Sequence, residues 1–162
     1  MKAAAPHLET DREAAWLDAA ELADVDGLRA VAGARDFLAA LPVGSWAVVT
    51  SCGQALAHLR LTSVGLPIPP VLVTSQDVDQ GKPAPDGYRL GAQRLGHDAA
   101  RCVVFEDAPA GIAAARAAGA RVIALTTMLA AADLAGADAM ISDFTAIRVR
   151  PDHDAFVVTP SC

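Results

Sequence analysis

Between residues 46 and 141 the chain alternates short apolar runs with single helical stretches, and few architectures accept that pattern. Trp46 to Thr50, Val71 to Thr74, Cys102 to Phe105 and Arg121 to Leu125 read as strands, with Ala139 to Ile141 as a fifth. The intervening segments 53–61, 86–95 and 110–118 carry helical spacing, and the last is alanine-rich and closed by Gly119. Leu129 to Leu134 adds a short helix. Ahead of the first strand, 33–41 reads as a helix stopped by Pro42 and Gly44, and 11–22 as an amphipathic helix carrying Trp16 and Leu22. Strands joined by single helices imply right-handed crossovers, so the expected fold class is α/β, a parallel sheet flanked by helices. An unbroken apolar run such as Cys102 to Phe105 predicts a strand buried on both faces. From Arg150 onward the chain reads as a loose tail.

Composition narrows the class further. At 162 residues, with 53% hydrophobic and 20% charged, the chain has the size and apolar content of one globular domain. Aromatics make only 4%, so the interior is expected to be built from small and branched side chains. A net charge of -6 speaks against a nucleic-acid partner, although one local cation can still hold an anionic substrate. Cys52, Cys102 and Cys162 form no CxxC pair, which argues against a zinc site or disulfide framework and suits a reducing, cytoplasmic setting. Residues 1–8 lack the apolar stretch of a signal peptide, and no run approaches the ~20 apolar residues of a membrane span.

Chemistry gathers where strands end. Thr50 and Ser51 follow the first strand, Lys82 stands in Gly81-Lys82-Pro83, and Glu106 and Asp107 follow the third. In an open parallel sheet the carboxyl ends of the strands share one crevice, so these groups are expected to converge. Hydroxyl, ammonium and paired carboxylates suit a phosphoryl group with Mg²⁺, because cations neutralise oxyanion charge and hard carboxylate oxygens hold the metal. Each signal also has a plain structural explanation. Asp107 can cap the helix opened by Pro109, Thr50 and Ser51 can cap the helix after them, and Lys82 can be solvated. A different chemistry is offered by Cys52, which stands at a strand-to-helix turn like a nucleophile elbow; neither His58 nor His97 has an evident orienting acid.

Three blocks carry a resemblance: Val48-Val49-Thr50-Ser51, Gly81-Lys82-Pro83-Ala84-Pro85-Asp86-Gly87-Tyr88, and Val104-Phe105-Glu106-Asp107-Ala108-Pro109-Ala110-Gly111 with its alanine-rich continuation to Gly119. Together they resemble the haloacid dehalogenase-like hydrolases, in the branch of sugar phosphatases and β-phosphoglucomutases. The resemblance spans residues 20 to 148 and implies a Rossmann-like core over 28–149, a remnant of a helical cap over 1–27 and a tail over 150–162. It implies that Thr50 binds the phosphoryl group of a small phosphorylated metabolite such as a sugar phosphate, with the Ser51 main chain nearby. It further implies that Lys82 holds phosphate and nucleophile together, and that Glu106 and Asp107 bind Mg²⁺ directly or through water.

One part of the family pattern is not met. Such hydrolases open with a strand ending in Asp-x-Asp-Gly-Thr, whose first Asp attacks phosphorus. The one match considered is Asp24-Val25-Asp26-Gly27-Leu28, preceded by a segment with Asp18 and Glu21 and no β-branched residue. That segment reads as helix, not as a buried strand, and the resemblance implies that the stretch is the return from a cap; the alternative is a short capless variant in which Asp24 attacks. The resemblance then implies a gap between the strands ending at Thr50 and Phe105, with unpaired edges that a second copy or a partner chain would cover. Two functions follow as expectations: a Mg²⁺-dependent phosphatase whose activity is impaired in this truncated chain, or a non-catalytic binding module on the same scaffold. A hydrolase using Cys52 is the weaker alternative.

Overall fold

The computed structural model describes residues 27–152 and 155–160, with the side chains of 151, 152, 155 and 156 left aside. The cap remnant and the Asp24-Val25-Asp26 match therefore lie outside the described residues. Four α-helices are described: α1 (Ala34–Ala40), α2 (Gln54–Ser63), α3 (Asp86–Arg94) and α4 (Pro109–Ala117). They alternate with β1 (Ala47–Val49), β2 (Val71–Val73), β3 (Val103–Glu106), β4 (Arg121–Leu125) and β5 (Ala139–Ile141), and the chain closes on β6 (Ile147–Asp152) and β7 (Ala155–Pro160). The alternation read from the apolar runs is therefore the alternation of the fold. The stretch expected as a helix at Leu129 to Leu134 is only a 3₁₀ turn over Ala131–Leu134.

The parallel array is divided. β1 pairs with β2, and β3 with β4 and β5, all parallel; among the described residues β1 and β3 do not pair with each other. The division falls where the sequence reading leaves a gap. It also corrects the expectation of a third strand buried on both faces. With a neighbour on one side only among the described residues, β3 leaves Val103 39% exposed and Val104 and Phe105 half-buried.

Each sheet is held by a helix that can come close. Gly87 and Gly91 of α3 lie against Val49, and a Cβ on Gly87 would stand 2.9 Å from the Val49 methyl. α4 packs on β3 and β4 through Ile112, Ala114 and Ala115, and meets Val122, Ala124 and Leu134 in one cluster with Tyr88. Five members of that cluster have no exposed surface, and three of these are alanines, so small side chains give density by close approach. The few aromatics are concentrated elsewhere: Phe37, Phe105 and Phe144 gather with ring centroids 4.7 to 5.2 Å apart, joining α1 to β3 and to the turn before β6.

The loose tail expected from Arg150 is not found. β6 and β7 form an antiparallel hairpin in register from Ile147 opposite Pro160 to Asp152 opposite Ala155. Its sequence signal is the alternation Ile147-Arg148-Val149-Arg150 followed by Phe156-Val157-Val158, interrupted by Pro151 and a run of polar residues that reads as coil.

Candidate active site

The carboxyl ends of β1 and β2 and the loop after β2 enclose a pocket of about 140 Å³, lined by Thr50, Ser51, Thr74, Ser75, Lys82 and Tyr88, with Asp79 and Gln80 at its loop side. Sites that enclose a whole small molecule run to roughly 300–1,000 Å³. This one has room for only one end of such a molecule.

Lys82 is the cation of the pocket, and it is not solvated. Its ammonium donates to the Val49 carbonyl at 3.2 Å and forms a short ion pair with Glu106 Oε1, at 18% and 7% side-chain exposure. An ammonium has three N–H donors, so among the described residues one remains for the pocket. The Tyr88 ring lies 5.0 Å from the same nitrogen.

Glu106 is buried and fully engaged. Oε1 accepts from Lys82 and from the Tyr88 hydroxyl at 2.5 Å, while Oε2 accepts from the backbone N–H groups of Asp107 at 3.1 Å and Ala108 at 3.3 Å. Those four donors occupy the four acceptor positions of a carboxylate. Asp107, by contrast, is exposed and has no side-chain partner among the described residues. It does not cap α4 either: the cap position is Ala108, without a side-chain bond, and Pro109 opens the helix. The open carboxylate of the pair is Asp107.

Mg²⁺ is commonly held by one or two carboxylates, with water and phosphate oxygens completing its shell. Asp107 fits that role without breaking a protein bond, whereas Glu106 would first have to release Lys82 or Tyr88. No group of three His, Cys, Asp or Glu residues gathers for a metal among the described residues.

Thr50 continues the β1–β2 ladder by donating its N–H to the Val73 carbonyl at 2.8 Å. Its hydroxyl accepts from the Cys52 N–H at 3.2 Å and lies 3.1 Å from Cys52 Sγ. This bond tightens the turn and is no helix cap, since the N-cap of α2 is Gly53, with no side-chain cap bond. Thr50 and Ser51 both line the pocket. Cys52 is half-buried, is absent from the pocket lining, and bonds no histidine among the described residues, so the elbow chemistry lacks its base.

The loop carrying Lys82 is stapled by a residue the sequence reading passed over. Asp77 accepts from the Thr74 N–H and hydroxyl, both at 2.8 Å, and pairs with Arg94 of α3 at 2.8 Å. The Thr74 backbone N–H, then Arg94 and the Thr74 hydroxyl, hold its carboxyl down to about 2 from the usual 3.8. A group whose folded value is depressed stabilises above its unfolded value and loses that contribution as pH falls through its folded value. The unfolding free-energy gap between the native chain and Asp77→Asn is therefore expected to be constant from pH 8 to 5. It should shrink between about pH 4 and pH 2, read by urea unfolding at each pH.

Tyr88 and Gly111 were also passed over as functional positions, although both stand in the quoted blocks. The available signals are a lone tyrosine in an otherwise apolar core set and a glycine inside an alanine-rich helix.

Comparison with known proteins places this site in a family. The model for haloacid dehalogenase-like hydrolases matches residues 1–119, and the chain belongs to that family. Hexitol phosphatase A of Escherichia coli (strain K12) is 39% identical over 145 residues, covering 87% of this chain and 67% of that protein. Validoxylamine A 7'-phosphate phosphatase of Streptomyces hygroscopicus subsp. limoneus is 41% identical over 135 residues, covering 80% and 62%. Among solved structures, CbbY from Rhodobacter sphaeroides in complex with phosphate superposes with a TM-score of 0.69 at 26% identity, over 89% of this chain and 68% of that one. The chain thus spans about two thirds of the length of these relatives. No helix among the described residues is long and apolar enough to cross a membrane.

Proposed function

We propose that this chain belongs to a phosphatase of small phosphorylated metabolites, a sugar or polyol phosphate, and that the pocket beside Lys82 receives the phosphoryl group. The observation that carries this reading is a lysine fixed at the pocket by Glu106 and Val49, its third N–H without an acceptor among the described residues. Around it, the Thr50 and Ser51 groups supply further donors to phosphoryl oxygens. Related proteins named as hexitol and validoxylamine phosphate phosphatases support a polyol-like substrate. In this reading Asp107 takes Mg²⁺, with Glu106 behind it as the fixed charge that keeps Lys82 in place. When bound, the metal offsets charge on the phosphoryl oxygens.

The test is release of inorganic phosphate from hexitol phosphates and from an aryl phosphate by the purified protein with Mg²⁺. Turnover is expected to disappear with chelator, and to fall on the order of 100-fold in Asp107→Asn. Equal activity of Asp107→Asn at saturating Mg²⁺ would sink the metal assignment.

A second reading is favoured by the divided sheet. No strand ending in Asp lies between β1 and β3 among the described residues, so the attacking carboxylate is not in view. A phosphate-binding module without turnover has the same pocket. Binding of inorganic phosphate with no product from any substrate selects it.

A further inference from the structure

Tyr88 is the only tyrosine of the chain, stands in the first turn of α3 and is 8% exposed. Its ring packs in the cluster with Ile112, Ala114 and Val122, a task phenylalanine would do equally well. The hydroxyl is what packing does not explain. It donates to Glu106 Oε1, the oxygen that also receives Lys82, and the ring borders both the pocket and the Lys82 ammonium. Burial, and then the Glu106 charge, push the phenol far above its ordinary range, so it keeps the proton it donates to Glu106.

Two donors on one carboxylate oxygen divide its pull. Without the hydroxyl, Oε1 would be held by Lys82 alone, the Glu106 carboxylate would be freer to turn, and the ammonium paired with it would turn away from the Val49 carbonyl. We propose that Tyr88 is a positioning residue: its hydroxyl holds the Glu106 carboxylate so that Lys82 keeps one N–H directed to an anion in the pocket. This rests on the reading of the pocket as a phosphate site, and it adds a residue to that site for which the packing alone gives no reason.

Tyr88→Phe tests it, with inorganic phosphate as probe. Phosphate affinity is measured by calorimetry, and the Lys82 ammonium is followed by its ¹H–¹⁵N resonance in the full chain. Ile112→Val, which trims the same cluster without touching Lys82, serves as the packing control. Tyr88→Phe is expected to weaken phosphate about tenfold and to shift or broaden the Lys82 signal. The control should change neither. Native-like phosphate affinity in Tyr88→Phe overturns the proposal, as does an equal loss in Ile112→Val. If the unaltered chain binds no phosphate, the pocket reading fails, and the Lys82 resonance alone decides: moved by Tyr88→Phe, the positioning role stands; unmoved, it falls.

Discussion

Gly111→Ala is expected to lower the unfolding free energy by ~3–5 kcal/mol, although helix propensity alone predicts a gain of about 1 kcal/mol for this exchange. Gly111 lies in the first turn of α4 with ordinary helical backbone, and a Cβ there would overlap the Glu106 carboxylate. The helix cannot move away, because Ile112, Ala114 and Ala115 are packed on β3 and β4. The carboxylate must yield instead, and its buried bonds to Lys82, Tyr88 and two backbone amides are disturbed together. Urea unfolding of Gly111→Ala, Glu106→Ala and the double variant checks the cause. If the collision is the cause, the double variant should be about as stable as Glu106→Ala alone. A Gly111→Ala protein more stable than the native chain would show that the carboxylate does not occupy that space.

Lys82→Met should produce the second large effect, and in two separable parts. Methionine keeps an unbranched side chain, one atom shorter, but leaves Glu106, at 7% exposure, without a cation; losing one partner of such a pair costs ~3–5 kcal/mol. The 18% exposure of Lys82 places the expected loss near ~3 kcal/mol. Adding Glu106→Gln removes the stranded charge and should recover most of that stability. It should not recover the second part, binding of inorganic phosphate, which needs the third ammonium N–H. Calorimetry on both variants separates the two: phosphate affinity restored in the double variant would mean that Lys82 does not meet the anion.

Much of this was legible before any coordinates, and the reasons differ by element. Cys102 to Phe105 and Arg121 to Leu125 read as strands because parallel strands bury apolar side chains and need no alternation. The β6–β7 hairpin was not legible, since Pro151 and the polar residues after it hide a short alternating pattern that becomes a strand through its partner. Half-burial of β3 was equally invisible, because the number of neighbours a strand has is not a property of its own sequence.

The same division runs through the site. Spacing along the chain by itself placed Thr50, Lys82, Glu106 and Asp107 at strand ends, since residue type and order are enough to say what can be brought to one end of a parallel sheet. Two adjacent acids look alike in one dimension. Only the packed structure distinguished them: α3 delivers the Tyr88 hydroxyl and the Lys82 loop to Glu106, Gly111 leaves room for its carboxylate, and Asp107 is exposed with no side-chain partner among the described residues. A carboxylate's role follows from which donors reach its oxygens, and those donors come from segments as far as 24 residues away, which only tertiary folding can set beside it.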